Sequence, residues 1–246
     1  MTLQEASHFD LPTPTGVMRV HRFLPQEGSW PAVILYSEIY QMTAPIQRLA
    51  ERLACEGFEV LVPEVYHEYE VPGTVLAYDK EGTDRGNFLK FEKPVAAFDS
   101  DAKALIDSVM ARPDYRWKGI GTIGFCLGGH LAFRSALDSR VRASSCWYPT
   151  DIHSATLGKG KSDDTLARSG EIAAELLLIW GRQDPHVPAE GRRKIYDHLT
   201  EAGRNFTWHE FNAAHAFARD EGLRHDEAAT RLGWEMTLEL FKRKLV

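Results

Sequence analysis

Short apolar runs alternate along this chain with segments that repeat apolar residues at helical spacing. A continuous apolar run is typical of a strand covered on both faces, and mainly apolar runs of this kind lie at 31–36, 58–62, 119–125 and 175–180. Residues 141–148 are interpreted as a further strand. The helical patterns lie between and after them, at 46–55, 95–110, 127–137, 191–199 and 226–246. Strands that alternate with helices predict an α/β fold with a mainly parallel, doubly wound sheet, whose ligands gather at the carboxyl ends of the strands.

Four segments depart from this pattern. Residues 17–24 and 206–211 alternate apolar and polar positions, which predicts strands with one face in water, the first of them at the edge of the sheet. Residues 64–94 and 149–170 have no sustained period, and we expect two partly ordered excursions above the carboxyl ends of the strands. No repeat, low-complexity tract or linker interrupts the chain, so the sequence predicts one domain over residues 1–246.

Composition narrows the class of protein. The 246 residues are 43% hydrophobic and 26% charged, which fits a chain with a sizeable core. A formal net charge of −6 argues against nucleic acid as a partner, and no apolar run is long enough to span a membrane. The N-terminal residues lack the pattern of a secretory signal, so we expect a cytoplasmic protein that is a monomer or a small homo-oligomer.

The cysteines and histidines do not indicate a bound metal or cofactor. Cys55, Cys126 and Cys146 are too few and too scattered for a disulfide framework or a structural zinc site. The spacings H-x-x-x-H and C-x-x-C do not occur in the sequence. We therefore expect neither a metal ion nor an organic cofactor.

One glycine-rich turn carries a candidate nucleophile. The sequence Gly124-Phe125-Cys126-Leu127-Gly128 follows a predicted buried strand and precedes a predicted helix. Its G-x-nucleophile-x-G form is that of the nucleophile elbow, with cysteine in place of the usual serine. A Cβ at either flanking glycine would crowd the turn, and the helix points its free N–H groups at the thiol, which favours the thiolate. The alternative is a glycine-rich turn with a buried cysteine.

Three candidate catalytic side chains follow predicted strands in the chain order nucleophile, acid, histidine. They are Cys126, Asp184 and His215, each placed after a strand of its own. A base held by a carboxylate can make a thiol into a nucleophile, and this chain order is that of the α/β-hydrolases. Taken singly, Asp184 could be a turn cap and His215 a solvated side chain. His186 and His209 lack the placement at a strand end and are interpreted as structural.

Four motifs extend this pattern over nearly the whole chain: Ser37-Glu38-Ile39, Gly124-Phe125-Cys126-Leu127-Gly128-Gly129, Gly181-Arg182-Gln183-Asp184-Pro185 and Ala214-His215-Ala216-Phe217-Ala218-Arg219. Together they resemble the dienelactone hydrolase family, the carboxymethylenebutenolidases. A cysteine elbow distinguishes this family, because most α/β-hydrolases use serine. The resemblance implies the α/β-hydrolase fold and an enzyme that hydrolyses esters or lactones.

The resemblance implies a catalytic role for each matched residue. Cys126 corresponds to the nucleophile, His215 to its base and Asp184 to the acid that orients the histidine. Glu38 corresponds to a glutamate that hydrogen-bonds the resting thiol and takes part in activating it. Without the resemblance, Glu38 would be interpreted as a surface carboxylate at the end of a strand.

The resemblance also implies an oxyanion hole and two substrate-binding cations. The backbone N–H groups of Ile39 and Leu127 correspond to the oxyanion hole. Arg219 corresponds to an arginine that binds the substrate carboxylate, and Arg85 lies where a second such arginine is expected. A planar guanidinium holds a carboxylate in two parallel hydrogen bonds, so this pair would select acidic substrates. By itself, Arg219 would be interpreted as a solvated surface charge.

The sequence thus predicts a cysteine-dependent hydrolase that opens a lactone or ester through a thioester acyl-enzyme, with a carboxylate-bearing substrate such as a dienelactone. Two alternatives stay open. One is a broader carboxylesterase or thioesterase. The other is a non-catalytic protein of the same fold that binds an acidic small molecule. The excursions at 64–94 and 149–170 depart from the compact family pattern and would reshape the pocket, so the substrate itself is not implied.

Overall fold

The computed structural model of the protein describes residues 1–161 and 163–246. Its strands are β1 (Ser7–Thr13), β2 (Gly16–Phe23), β3 (Ala32–Tyr36), β4 (Glu59–Pro63), β5 (Ile120–Phe125), β6 (Val141–Trp147), β7 (Glu175–Gly181) and β8 (Phe206–Phe211). Its α-helices are α1 (Ala44–Cys55), α2 (Lys80–Glu92), α3 (Val95–Met110), α4 (Leu127–Ser135), α5 (Ala189–Glu201) and α6 (Glu227–Leu245). Within the described ranges, none of these helices has the length and hydropathy needed to cross a membrane.

The eight strands form one sheet in the order β1-β2-β4-β3-β5-β6-β7-β8. Strands β3 to β8 are parallel, whereas β2 pairs antiparallel with both β1 and β4. Successive residues of β3 enter opposite cores: Ile34 packs with residues of α3, α4 and α5, and Val33 packs with residues of α1 and α6. The structure therefore confirms the predicted mainly parallel sheet with helices on both faces.

The prediction that residues 17–24 form the edge strand is wrong, because β1 lies outside β2. All of Ser7–Thr13 pairs antiparallel with β2. One face of β1, with Phe9, Leu11 and Thr13, is half-buried, the other face is exposed, and the strand contains Pro12. The alternating pattern is only two apolar residues long, so pairing with β2 is what defines the strand.

The excursion at 64–94 contains helix α2, which the sequence analysis missed. Asp79 caps the helix, because its carboxylate accepts a hydrogen bond from the N–H of Gly82 at 2.8 Å. A Cβ at Gly82 would meet the backbone of Ala77, and a Cβ at Gly86 would meet the carbonyl oxygen of Ile39. Glycines that indicate a loop in the sequence therefore allow the helix to pack closely here.

The excursion at 149–170 is built of turns that are anchored on α4. The His130 side chain of this helix is fully buried. Its ring nitrogens lie 2.8 Å from the carbonyl oxygen of Thr150 and 2.8 Å from the hydroxyl of Thr165. The helix that follows the elbow thus holds both ends of the excursion, of which residue 162 lies outside the described residues.

A fully buried ammonium group ties the first excursion to α3. The Lys93 side chain donates to the carbonyl oxygen of Val65 and to the carboxylate of Glu68, each at 2.8 Å, and also to Asp101. His67, Glu68 and Asp101 are close enough to offer ligands to a metal ion. Because the ammonium already bonds to two of these three side chains, we interpret the cluster as an ion-pair network.

We expect Lys93→Met to lower the free energy of unfolding by about 3–5 kcal/mol, because it leaves Glu68 and Asp101 without their cation. Urea denaturation followed by circular dichroism measures the change. Lys80→Met is the matched control, since Lys80 is exposed and pairs with Asp84 at the surface, where an ion pair contributes little. Equal losses in the two variants would contradict the role given to Lys93.

Candidate active site

Cys126 lies at the sharp turn between β5 and α4. Its φ of 59° and ψ of −118° are unfavourable for a residue with a Cβ. A Cβ at Gly124 would overlap the carbonyl group of Gly128, and a Cβ at Gly128 would overlap the carbonyl group of Tyr36 in β3. Glycine at both flanking positions therefore allows the tight turn, which places Cys126 in the wall of a cavity.

Asp184 and His215 are in direct contact. Oδ2 of Asp184 lies 2.6 Å from Nδ1 of His215, and Oδ1 accepts a hydrogen bond from the backbone N–H of His186 at 2.8 Å. Burial opposes ionisation of Asp184, but the hydrogen bond and the charge attraction of His215, together with the hydrogen bond from the His186 N–H, outweigh burial and lower the pKa of the carboxyl group. The carboxylate accepts a hydrogen bond from Nδ1–H and so fixes the orientation of the imidazole.

His215 also interacts with Cys126. Burial by itself lowers the pKa of His215, but attraction to Cys126 and the hydrogen bond with Asp184 raise it to about 10. The ring packs edge-on against Tyr148, with 5.1 Å between centroids, and against His186 at 4.6 Å. The raised pKa favours the imidazolium form of His215 at neutral pH, and Asp184 orients this ring in the cavity wall that also contains Cys126.

The Glu38 carboxylate contacts Tyr78 and Arg219. The Tyr78 hydroxyl donates to Oε2 at 3.3 Å, and Nη1 of Arg219 lies 3.6 Å from the same oxygen. Burial raises the pKa of Glu38 and outweighs the lowering by Arg219 and His215. Within the described residues, Glu38 makes no hydrogen bond with Cys126. The contact between this carboxylate and the resting thiol, expected from the sequence, is therefore absent from this structure.

The two candidate oxyanion donors lie at the ends of neighbouring elements. Leu127 is the first residue of α4, and Ile39 follows β3, the strand beside β5. Across the described chain, neither backbone N–H has a hydrogen-bond acceptor. Ile39 lines the same cavity as Cys126. Two backbone donors near one carbonyl-binding position can stabilise the negative charge of a tetrahedral intermediate.

One cavity of about 320 Å³ contains most of the predicted site residues. Its wall combines ionisable groups with backbone and hydroxyl groups, which suits a small polar substrate. The lining residues are Glu38, Ile39, Tyr40, Thr83, Asn87, Lys90, Cys126, Thr150, Asp151, His186, His215, Ala216, Arg219 and Arg224.

Arg85 was expected to bind the substrate carboxylate, but its position on α2 places it outside the cavity wall. Thr83, Asn87 and Lys90 line the cavity at positions i, i+4 and i+7, which is one face of a helix. At about 100° per residue, Arg85 is rotated by about 200° from Thr83 and lies on the opposite face. Nε of Arg85 is 2.6 Å from the carboxylate of Glu70, outside the cavity wall.

Sequence reasoning also missed polar residues that do line the cavity, among them Lys90, His186 and Arg224. The helical spacing of Thr83, Asn87 and Lys90 would predict that these polar residues share one face of a helix. That prediction can be made only if residues 80–92 are recognised as a helix. The position of His186, directly after the motif that contains Asp184, could have indicated that it lies near the site. No pattern in the sequence marks Arg224.

Solved structures agree with this architecture. The protein named "Putative Dienelactone Hydrolase" from Klebsiella pneumoniae subsp. pneumoniae MGH 78578 is similar with a TM-score of 0.83 at 21% identity, over 99% of this chain and 100% of that one. At this identity the similarity establishes the fold alone. With the sheet order and the elbow, it shows that this chain has the α/β-hydrolase fold.

Sequence comparisons identify the family. The model of the dienelactone hydrolase family matches residues 18–245. "Putative carboxymethylenebutenolidase" from Saccharomyces cerevisiae is 43% identical over 257 residues, which cover 100% of this chain and 93% of that protein. Carboxymethylenebutenolidase from Pseudomonas sp. (strain P51) is 27% identical, over 93% of this chain and 91% of that protein. The chain therefore belongs to the dienelactone hydrolase family, and it is a carboxylic ester hydrolase.

We expect the pKa of His215 to fall when Cys126 is replaced by alanine, because attraction to Cys126 is the largest effect that raises it. The wild-type imidazolium should lose its proton near pH 10, and that of Cys126→Ala at a lower pH. Nitrogen-15 NMR of the histidine rings measures both titrations. Cys55→Ala is the control, since the Cys55 thiol contacts Met1 instead. An unchanged titration in Cys126→Ala would refute the contact.

Proposed function

We propose that this protein hydrolyses carboxylate-bearing lactones or esters, with Cys126 as the nucleophile and a thioester acyl-enzyme as the intermediate. One observation carries this proposal: His215, which is hydrogen-bonded to Asp184, shares a cavity wall with Cys126 and is attracted to it. A cysteine next to an imidazolium is a strong nucleophile at neutral pH. Membership of the family supports ester or lactone hydrolysis as the reaction, and the arrangement of these side chains supports the catalytic role proposed for each of them.

The proposed reaction has two halves. The Cys126 sulfur attacks the carbonyl carbon, and the oxyanion is bound by the N–H groups of Ile39 and Leu127. The intermediate collapses with cleavage of the C–O bond, and His215 gives its proton to the leaving oxygen. A water molecule, deprotonated by His215, then attacks the thioester carbonyl carbon. The C–S bond breaks, the acid is released and Cys126 leaves as the thiolate beside the reprotonated His215. Asp184 keeps the imidazole in the tautomer that both proton transfers require.

Arg219 is the proposed partner of the substrate carboxylate. Its guanidinium lies in the cavity wall, 4.2 Å over the ring of Tyr78, and its Nε has no hydrogen-bond acceptor among the described residues. Its one acidic neighbour is Glu38 at 3.6 Å, a distance that is long for a hydrogen bond. The guanidinium therefore keeps donors for a substrate carboxylate.

We also propose that the excursions at 64–94 and 149–170 cover the site and that the chain forms a single domain. Thr83, Asn87 and Lys90 come from the first of them, and Thr150 and Asp151 come from the second. A broader carboxylesterase or thioesterase would use the same nucleophile with less dependence on Arg219. A cytoplasmic location and a monomer or small homo-oligomer stay predictions of the sequence.

We expect Cys126→Ala to abolish hydrolysis, with a loss of at least about a thousandfold, because the nucleophile is removed. Release of 4-nitrophenol from a 4-nitrophenyl ester measures turnover. Mass spectrometry of acid-quenched protein should detect an acyl group on the Cys126 peptide of the wild type. Wild-type protein that hydrolyses esters without any acylated cysteine would contradict the thioester step.

Two cysteines serve as matched controls for Cys126. Cys146 is fully buried in β6, where burial raises the pKa of its thiol to about 12. Cys55 is the last residue of α1, and its side chain is only half-buried, unlike that of Cys146. Cys55→Ala and Cys146→Ala should keep turnover within a few-fold of the wild type. A thousandfold loss in folded Cys55→Ala would overturn the choice of nucleophile.

We expect Arg219→Ala to reduce kcat/KM for an acidic substrate roughly tenfold to a hundredfold more than for a neutral one, since a charge-assisted hydrogen bond contributes about 1.5–3 kcal/mol. The matched substrates are 4-nitrophenyl hydrogen succinate and its neutral methyl ester. Arg219→Lys should restore part of the loss, because an ammonium lacks the planar fork of a guanidinium. Equal losses on both substrates would make Arg219 a structural residue.

A further inference from the structure

One charged side chain of the cavity wall belongs neither to the proposed catalytic residues nor to Arg219. Lys90 lies on the cavity-facing side of α2, in line with Thr83 and Asn87. Its side chain is only 9% exposed. A nearly buried ammonium is costly unless its donors are satisfied, so the contacts of Lys90 are informative.

Lys90 uses one of its three donors within the described residues. Its Nζ donates to Oδ2 of Asp151 at 3.0 Å, and it lies 4.4 Å from the centroid of the Phe91 ring. Lys93, three residues further on, is the contrast. That ammonium has three acceptors, in Val65, Glu68 and Asp101. An ammonium has three donors in all, so Lys93 is complete and Lys90 is not.

Asp151 holds Lys90 in place. This carboxylate also accepts hydrogen bonds from the hydroxyl groups of Thr150 at 2.6 Å and Thr156 at 3.1 Å. Asp151 has a φ of 68°, a strained value for a residue with a Cβ. The second excursion thus presents a carboxylate whose bond to Lys90 fixes the ammonium in the wall and leaves its other two donors available.

Lys90 and Arg219 belong to different walls of the cavity. Lys90 comes from α2 and pairs with Asp151, whereas Arg219 comes from the segment between β8 and α6 and pairs with Glu38. The two cations share no acceptor. Lys90 therefore offers its own hydrogen bonds to an anion in the cavity.

We propose that Lys90 is a specificity-determining residue that binds a carboxylate of the substrate from the α2 wall. It provides the second cation that the resemblance had assigned to Arg85. This inference rests on the proposed function, because the ligand of Lys90 is taken to be the acidic ester or lactone.

The first experiment measures selectivity, the ratio of kcat/KM for 4-nitrophenyl hydrogen succinate to that for its neutral methyl ester. We expect Lys90→Met to lower this ratio roughly tenfold to a hundredfold. Arg85→Met removes a cation from the opposite face of α2 and should leave the ratio unchanged. An unchanged ratio in Lys90→Met, or an equal fall in Arg85→Met, would overturn the proposal.

A double variant separates substrate binding from the charge of Asp151. Lys90→Met alone leaves the Asp151 carboxylate unpaired, and its charge would itself repel an acidic substrate. Lys90→Met/Asp151→Asn removes both charges of the pair. We expect the ratio to stay low in the double variant, since the binding cation is still missing. Recovery of the wild-type ratio would show that repulsion by Asp151 caused the loss, and the proposal would be wrong.

A binding experiment keeps this inference distinct from the hydrolytic function. Benzoate and its neutral isostere benzamide compete with iodoacetamide for access to Cys126, and mass spectrometry of the Cys126 peptide follows alkylation without any need for turnover. In the wild type, benzoate should protect at lower concentration than benzamide, and both Lys90 variants should show a smaller preference, because only Arg219 is left to bind the carboxylate. A preference as large as that of the wild type in both variants would refute the role of Lys90, whether or not the protein hydrolyses esters.

Discussion

The site depends on one close contact between backbones. The first turn of α4 lies so near the end of β3 that a Cβ on Gly128 would overlap the carbonyl groups of Tyr36 and Ser37. This approach brings Cys126 and the N–H of Leu127, on one side, next to the segment with Glu38 and Ile39 on the other. The proposed nucleophile and both candidate oxyanion donors are thus positioned by rigid main chain rather than by flexible side chains.

Backbone strain collects around the same cavity. Cys126, Asp151 and Ala216 all have φ values near +60° and all line it. Tyr148, with a φ of 38°, packs against the ring of His215. Such conformations cost about 1–3 kcal/mol each and persist where the surrounding structure imposes them. Here the buried parallel sheet supplies that support, since each strained residue follows closely on a strand or an anchored turn.

Buried ion pairs assemble the irregular part of the molecule. Lys93 joins the first excursion to α3, and Lys90 joins it to the second excursion through Asp151. The two lysines differ in how many donors they use, which separates a structural ammonium from one that can still bind a ligand. Charged residues therefore have two effects above the sheet. They hold the excursions in position, and they determine the electrostatic character of the cavity.

The sequence by itself determined the sheet, the elbow and the order of Cys126, Asp184 and His215. These features depend on local hydrophobic period, on short glycine motifs and on the rule that parallel strands end at one edge. The contact of Asp184 with His215 followed from that rule, because both residues come after neighbouring parallel strands.

Only the tertiary structure decided which face of α2 meets the cavity, and therefore that Lys90 rather than Arg85 lies in the cavity wall. It also decided that β1 covers the edge of β2, and that Glu38 bonds with Tyr78 rather than with the thiol. Each of these outcomes depends on contacts between residues far apart in the chain, which no local pattern records. In α2 the pattern was misleading as well, since its glycines are explained only by the backbones that they touch.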